Sequence, residues 1–335
     1  MNRKVVILIN TGTPDSPEVG DVRRYLREFL GDGRVITIPA IPRMLLVHGI
    51  IAPFRAPKSA RLYQKVWTKK GSPLLWHSEN LKNKLQESLG KPYEVVLGMR
   101  YGNPSLKNAL DHAVRNKISE IILLPLFPQY ASSTTGSAVD FAFNYLKNQT
   151  VIPQVRVAGQ FYNDPDYIDS FAQKILEKNP RRFDHVLFTY HSLPISHVNA
   201  THFGKPCSQY NCTTELDSLN SFCYHATCYA TTRFLAKKLN LEPGHFSVAF
   251  QSRFAKKWLG PFSDEVIKQK AREGVKKLLV VSPSFVTDCL ETIVELGMDY
   301  RDLFLENGGK VYQWVESLND SSQWVQTLYR IIKNQ

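Results

Sequence analysis

The fold turns on Lys277–Tyr300, KLLVVSPSFVTDCLETIVELGMDY. Leu278, Leu279, Val280 and Val281 form an apolar run stopped by Ser282-Pro283, the pattern of a short buried strand. The rest has helical length and no breaker before Gly297. On a helix wound at about 100° per residue, setting Glu291 at zero puts Glu295 near ~40°, Asp288 near ~60° and Asp299 near ~80°. These four acids then share one narrow stripe among Cys289, Leu290, Ile293, Val294, Leu296 and Met298. A surface helix carries a wider arc of mixed charge. A narrow acidic arc fits either a partly buried helix with a solvated edge or carboxylates lining a cavity that handles a cation or protons. Position favours the second, because open α/β sheets place their ligand crevices beyond the C-terminal ends of strands.

Outward from this stretch, apolar runs alternate with helical segments. Strands are expected at Val5–Ile9, Val95–Met99, Ile121–Leu126, Val155–Ala158, His185–Tyr190, Ser247–Phe250, Leu278–Val281 and Val311–Trp314, with helices such as Val19–Leu30, Ser105–Arg115, Tyr167–Lys178 and Asp264–Glu273 between them. That order argues an α/β fold with parallel, doubly wound sheets. VVILINTGTP near the start echoes HVLFTYHSLP at His185–Pro194, and YEVVLGMRYG, helix, EIILLPLFPQY returns as FSVAFQSRF, helix, KLLVVSPSF. Two similar Rossmann-like lobes with a cleft between them follow, and such a cleft is the default site. Residues 1–150 make the N-terminal lobe, with an apolar lip at 38–58. Residues 151–318 make the C-terminal lobe, with a cysteine loop at 203–228 and an acidic helix at 287–300. Residues 319–335 are a C-terminal helix packing back on the lobes.

The composition is globular, with 43% hydrophobic and 21% charged residues. The net charge of +12 is spread along the chain and could suit nucleic acid, an anionic membrane face or a carboxylate-rich substrate; with no basic block or nucleic-acid-reading motif, no nucleic-acid partner is expected. MNRKVVILINTGTP reads as a strand and not as a targeting segment. No apolar run approaches the roughly 20 residues of a spanning helix. A cytoplasmic chain is expected, a monomer or weak dimer, whose five cysteines are not disulfides. The lip, IPAIPRMLLVHGIIAPFRAPK, has an apolar centre flanked by Arg43, Arg55 and Lys58. It reads either as a cover packed on the core or as an exposed mouth resting through 38–54 on a membrane surface, which would hold the protein peripherally on the inner face of the cytoplasmic membrane.

His191 ends the strand in TYHSLP. A lone histidine is more often structural than catalytic, but this one lies at a strand end with the acid row at another strand end of the same lobe. An imidazole facing carboxylates suits transient Fe2+ or Zn2+ binding, or proton abstraction.

Read together, NTGTPDSP, KSARLYQKVW followed by GSPL, GMRYGNP, LPLFPQYASSTTGS, YHSLP, FQSRFAKKWLGP and SPSFVTDCLET resemble ferrochelatase along essentially the whole chain. The resemblance implies a lyase that inserts Fe2+ into protoporphyrin IX as the last step of protohaem synthesis. It places the family's active-site histidine on His191, its essential glutamate on Glu291, and a receding row of acids for metal or protons on Glu295 and Asp299, on a helix the family partly unwinds. It places macrocycle and propionate contacts on Arg100, Tyr101, Tyr130, Ser132, Ser133, Thr134 and Thr135, an aromatic beside the macrocycle on Trp258, and a membrane-facing mouth on Ile38–Phe54. The sequence departs from the family at Cys289, where many animal members carry histidine, and at Thr11, where others are bulkier.

Cys207, Cys212, Cys223 and Cys228 space as C-x4-C-x10-C-x4-C, with Cys289 apart. Four thiolates on one irregular loop fit an iron–sulfur cluster or structural Zn2+. Some ferrochelatases carry a [2Fe-2S] cluster, and some bacterial ones keep all four cysteines internally; the chain ends at Gln335 without the cysteine-bearing tail of animal members. A [2Fe-2S] cluster is therefore the expected cofactor. Two other functions compete: a chelatase for coproporphyrin or sirohydrochlorin, and a non-enzymatic haem carrier or redox sensor on the same fold. An apolar lip argues for a greasy two-propionate substrate, and a carrier needs no imidazole facing an acid row.

Overall fold

The computed structural model describes residues 3–334, which divide into two compact units. One runs to Phe127, returns for Ala131–Gly159 and resumes at Asn319; the other comprises Pro128–Tyr130 and Gln160–Leu318. The strand at 154–157, assigned above to the second lobe, belongs to the first sheet.

The first unit contains β1 (Lys4–Thr13), α1 (Val19–Gly31), α2 (Ala40–Leu45), α3 (Ala52–Val66), α4 (Pro73–Leu89), β2 (Tyr93–Gly102), α5 (Leu106–Arg115), β3 (Glu120–Pro125), α6 (Ser137–Leu146) and β4 (Gln154–Val157). Its sheet has the order β2-β1-β3-β4, and every pair is parallel. Central strand β1 is covered on both faces, which is why Val5–Ile9 is an unbroken apolar run with no exposure. One face packs Val5, Ile7 and Ile9 on Leu106 and Leu110 of α5 and on Ala138 and Ala142 of α6. Ser105 starts α5 by accepting the Asn108 N–H at 3.2 Å.

The second unit contains α7 (Pro165–Glu177), β5 (His185–His191), α8 (Ile195–Asn199), α9 (Tyr224–Leu239), β6 (Phe246–Gln251), α10 (Ser263–Arg272), β7 (Lys277–Val281), α11 (Tyr300–Glu306) and β8 (Val311–Trp314). Its sheet, β6-β5-β7-β8, is again all parallel and repeats the strand order of the first. The internal echo in the sequence is thus a repeated topology. The C-terminal helix α12 (Ser322–Lys333) packs on α4 in the first unit, with Trp324 wholly buried and Lys84 Nζ donating to Asp320 Oδ2 at 2.6 Å.

Two longer helical stretches contain a departure from regular α-helix. Between α2 and α3, Leu46–Ile51 winds as a π-helix, so helical backbone runs on from Ala40 to Val66. This stretch buries Val47 and Ala52 but leaves Ile41 70%, Leu45 64% and Phe54 81% exposed, so its apolar outer face is open. Arg43 does not flank it as a free charge: its Nε–H donates to Gly31 O at 2.9 Å and its Nη1 to Ile38 O at 2.6 Å. Among the described residues no helix is long and apolar enough to cross a membrane. The second departure is Glu291–Asp299, where a π-helix replaces the expected α-helix.

Candidate active site

The site in the second unit is built where β5 and β6 end and the π-helix after β7 begins. His191 closes β5, paired in register with Gln251 at the end of β6. Its Nδ1 lies 2.6 Å from the Ser192 carbonyl oxygen. A carbonyl only accepts, so Nδ1 carries the proton, and in the neutral ring the lone pair sits on Nε2. Ser192 is itself fixed, its N–H on Gln251 O at 2.8 Å and its hydroxyl on Leu259 O at 2.7 Å. The rings of Trp258 and Phe285 flank the imidazole at 6.3 and 6.4 Å between centroids.

The acid segment differs from the sequence reading in ways that matter. Its hydrogen bonds close from residue i to i+5, as where Tyr300 N–H reaches Glu295 O. Steps of four residues then fall just short of a turn, so Glu291, Glu295 and Asp299 stay on one side of the helix. Asp288 leaves the row. It precedes the helix, is buried, and accepts from Thr292 Oγ1 at 3.0 Å and Ser317 N–H at 3.1 Å, which makes it a structural brace at the helix entrance. The wider winding is held from outside: Tyr312 OH donates to Leu296 O at 2.6 Å. A Cβ at Gly297 would lie 2.8 Å from Trp314 Nε1, so only glycine lets the helix approach β8 this closely.

The three acids then meet different surroundings. Asp299 is exposed. Glu291 is half-buried and accepts from Cys289 Sγ at 3.0 Å. Burial and the neighbouring carboxylate push the Cys289 thiol well up, so it stays protonated and acts as a donor rather than a ligand. Glu295 accepts from Ser252 N–H at 2.9 Å, from the Ser252 hydroxyl and from Tyr300 OH at 2.8 Å. Burial raises its carboxyl above the ordinary value; the bonds from Ser252 and Tyr300 and the field of His191 oppose this without cancelling it. His191 and Glu295 are therefore within electrostatic reach of each other, whereas no hydrogen bond joins His191 to Glu291 among the described residues. Ser252 and Tyr300 were not singled out by the sequence reading. Ser252 sits inside FQSRF and adopts φ 61°, a left-handed conformation rare for serine, which aims both its N–H and its hydroxyl at Glu295.

The expected macrocycle contacts fall in both units. In the first, Arg100 donates to Asp32 Oδ2 at 2.6 Å and to Ser137 Oγ at 2.7 Å, and Tyr101 OH to Asp32 Oδ2 at 2.9 Å. Tyr101 is 1% exposed and braces this network. Ser132–Gly136 form a short π-helix, with Ser132 Oγ accepting from Arg34 Nη1 at 3.4 Å, Thr134 bonded to Ala131 O at 3.4 Å, Thr135 buried and Ser133 half-buried. In the second unit Tyr130 packs edge-on against Phe222, 5.7 Å between ring centroids, and Trp258 lies beside His191.

A second constellation lies between α8 and α9. Donor atoms of His202, Cys207, Cys212 and Cys223 all fall within 4.8 Å of one another, and all four residues are buried. This His/Cys group can coordinate a metal. The mutual hydrogen bond of Cys207 and Cys223, helped by the Ala226 N–H, draws Cys223 below the usual thiol value, while that bond and burial push Cys207 up. Cys228 stands outside the group. It lies wholly buried on α9 against Tyr224, and burial pushes its thiol well up. Three of the four expected cysteines thus gather with His202, and Cys228 lies apart from that group.

A family model described as Ferrochelatase matches residues 3–335. A ferrochelatase of Legionella pneumophila (strain Paris) is 43% identical over 334 residues, covering 99% of each chain. A ferrochelatase of Coxiella burnetii (strain Dugway 5J108-111) is 44% identical over 338 residues, covering 99% of this chain and 94% of its own. A solved structure described as SirB from Bacillus subtilis with Fe3+ aligns with a TM-score of 0.56 at 7% identity, over 99% of this chain and 95% of its own, which is a likeness of fold.

Proposed function

The chain belongs to the ferrochelatase family, and from that premise we propose that it inserts Fe2+ into protoporphyrin IX, releasing two protons, as the last step of protohaem synthesis. The observation that supports the reading best is His191, with its Nε2 lone pair uncommitted, within the field of a glutamate whose carboxyl burial has made a better proton acceptor. A free-base porphyrin keeps two N–H protons in a flat ring, so its centre is closed to a metal. Distorting the ring exposes the nitrogens, at a cost of about 1–5 kcal/mol that binding energy can supply. Each proton then needs a base within reach, and the entering dication needs oxygen or nitrogen donors to replace its water. His191 Nε2 takes a ring proton, Glu291 holds the ion or a second proton, and Glu295 and the exposed Asp299 pass charge outward along the π-helix. Cys289 steadies Glu291 by donating to it.

The choice of protoporphyrin over a more carboxylated macrocycle rests on the lip. Ile41, Leu45, Ile50 and Phe54 present an open apolar face, which suits a greasy substrate and peripheral contact with the cytoplasmic membrane. Replacing Ile41, Leu45 and Phe54 with serine weakens binding to liposomes and raises KM while leaving Tm nearly unchanged; a large fall in Tm would show these side chains to be core. An insertion assay with Fe2+ tests the substrate. A higher kcat/KM for protoporphyrin IX than for coproporphyrin is expected, and a tenfold preference for coproporphyrin would overturn the assignment.

A further inference from the structure

The cysteine loop holds a donor set that does not fit the four-thiolate [2Fe-2S] cluster its spacing suggests. We propose that His202, Cys207, Cys212 and Cys223 bind a single tetrahedral divalent ion, zinc by donor chemistry, and that Cys228 takes no part.

Geometry carries the argument. Around one zinc, sulfur at about 2.3 Å and nitrogen at about 2.0–2.1 Å in a tetrahedron put neighbouring donors roughly 3.5–3.8 Å apart. Cys207 Sγ and Cys223 Sγ are 3.6 Å apart, as are Cys212 Sγ and His202 Nε2. All four donors stay within 4.8 Å of one another. A two-iron cluster would keep two close pairs but separate them by its own length, which such a compact set does not allow. Three thiolates and one imidazole are an ordinary structural zinc set.

The surroundings agree. Asn220 Nδ2 approaches Cys212 Sγ at 3.9 Å, and the Ala226 N–H in the first turn of α9 is directed at Cys223, both donors that favour thiolate sulfur. Cys207 is fixed through its N–H to Asn199 Oδ1 at 2.9 Å. The loop itself has little regular structure, and Phe203, Leu219 and Phe222 point outward, so an ion would supply the staple its own packing does not. Cys228, by contrast, is a core thiol placed among Tyr167, Tyr190 and Tyr224. In sequence the set reads H-x4-C-x4-C-x10-C, the cysteine pattern moved upstream by one ligand. His225 Nδ1 also lies 3.6 Å from Cys207 Sγ, and is the imidazole to be told apart from His202.

The full chain, purified without air or added metal, is assayed for bound metals and acid-labile sulfide, with the zinc K-edge read for its ligands. One zinc per chain, no sulfide and a shell of three sulfurs and one nitrogen are expected. Cys228→Ser and His225→Ala keep the zinc, whereas His202→Ala and Cys212→Ser lose it to a chelator that leaves the wild type loaded, and unfold at lower temperature. Should the last two fail to fold, the wild-type shell and the Cys228→Ser stoichiometry still decide. Iron with equimolar sulfide, a four-sulfur shell, loss of metal in Cys228→Ser, or no bound metal would each overturn the proposal.

Discussion

The two units repeat one topology, yet the equivalent ends of β1 and β5 have opposite chemistry. At the end of β1 several polar groups are committed inward. Asn10 Oδ1 accepts from Thr11 N–H at 2.8 Å, Thr13 Oγ1 donates to Ser72 Oγ at 2.9 Å, and Tyr25 OH to Gly12 O at 3.2 Å. Gly12 has φ +110°, and a Cβ there would lie 1.8 Å from Tyr101 O, so the end of β1 is closed against β2. At the end of β5 the imidazole Nε2 has no hydrogen-bond partner among the described residues, and burial raises the carboxyl of Glu295, within electrostatic reach. A repeated fold supplies two crevice positions, and their side-chain commitments differ.

The largest effect is expected from Glu291→Gln, which removes the charge but keeps the shape. Insertion should fall by about 10²–10⁴-fold, the usual worth of a positioned base, while porphyrin still binds. Residues that act as a unit are not additive, so adding His191→Ala to Glu291→Gln should cost little more. Multiplicative losses in the double variant would break the unit apart.

Glu295 sharpens the comparison through pH. Its carboxyl is raised, so the fraction able to accept a proton falls as pH drops through a value above the ordinary carboxylate range of about 4.3. Wild-type insertion should decline on that acid limb, and Glu295→Gln should be slower throughout with the limb flattened. An unchanged limb would remove Glu295 from the proton path.

Gly12→Ala should do the reverse of the catalytic variants. Strain at a left-handed backbone position costs on the order of 1–3 kcal/mol. Tm should drop by several degrees while kcat of the folded protein holds. Lost kcat at unchanged Tm would mean that the end of β1 is chemically engaged after all.

The smallest effect at neutral pH concerns the other end of β5. His185 is buried, bonded to Ser247 Oγ at 2.8 Å, and burial holds it down to about 4. Its folded value lies below the unfolded one, about 6.5, so its contribution is complete above pH 6.5 and is lost as pH falls towards 4, on the order of 3 kcal/mol in all. Chemical denaturation across that window should show the decline, and His185→Gln should show less of it.

These contrasts also mark what the sequence could reveal. The strands were legible because a parallel sheet buried on both faces demands continuous apolar runs. His191 was legible because a strand end in an α/β lobe is a meaningful address. The π-winding was not, since α and π helices both align residues four apart and differ only in how the backbone closes. Asp288 was misplaced because the helix begins only after it, and Ser252 and Tyr300 were missed because their contacts with Glu295 are set by the folded backbone. The nearness of His202 to the cysteines and the burial of Tyr101 are not written in a motif.

The most direct test of the claim that chemistry resides only at the end of β5 is single-turnover Fe2+ insertion in His191→Ala with protoporphyrin saturating, beside Thr11→Val at the matching position in the first unit. His191→Ala should bind porphyrin yet insert iron at least about a hundredfold more slowly, and Thr11→Val should match the wild type. Insertion by His191→Ala within twofold of wild type, or a comparable loss in Thr11→Val, would contradict the account.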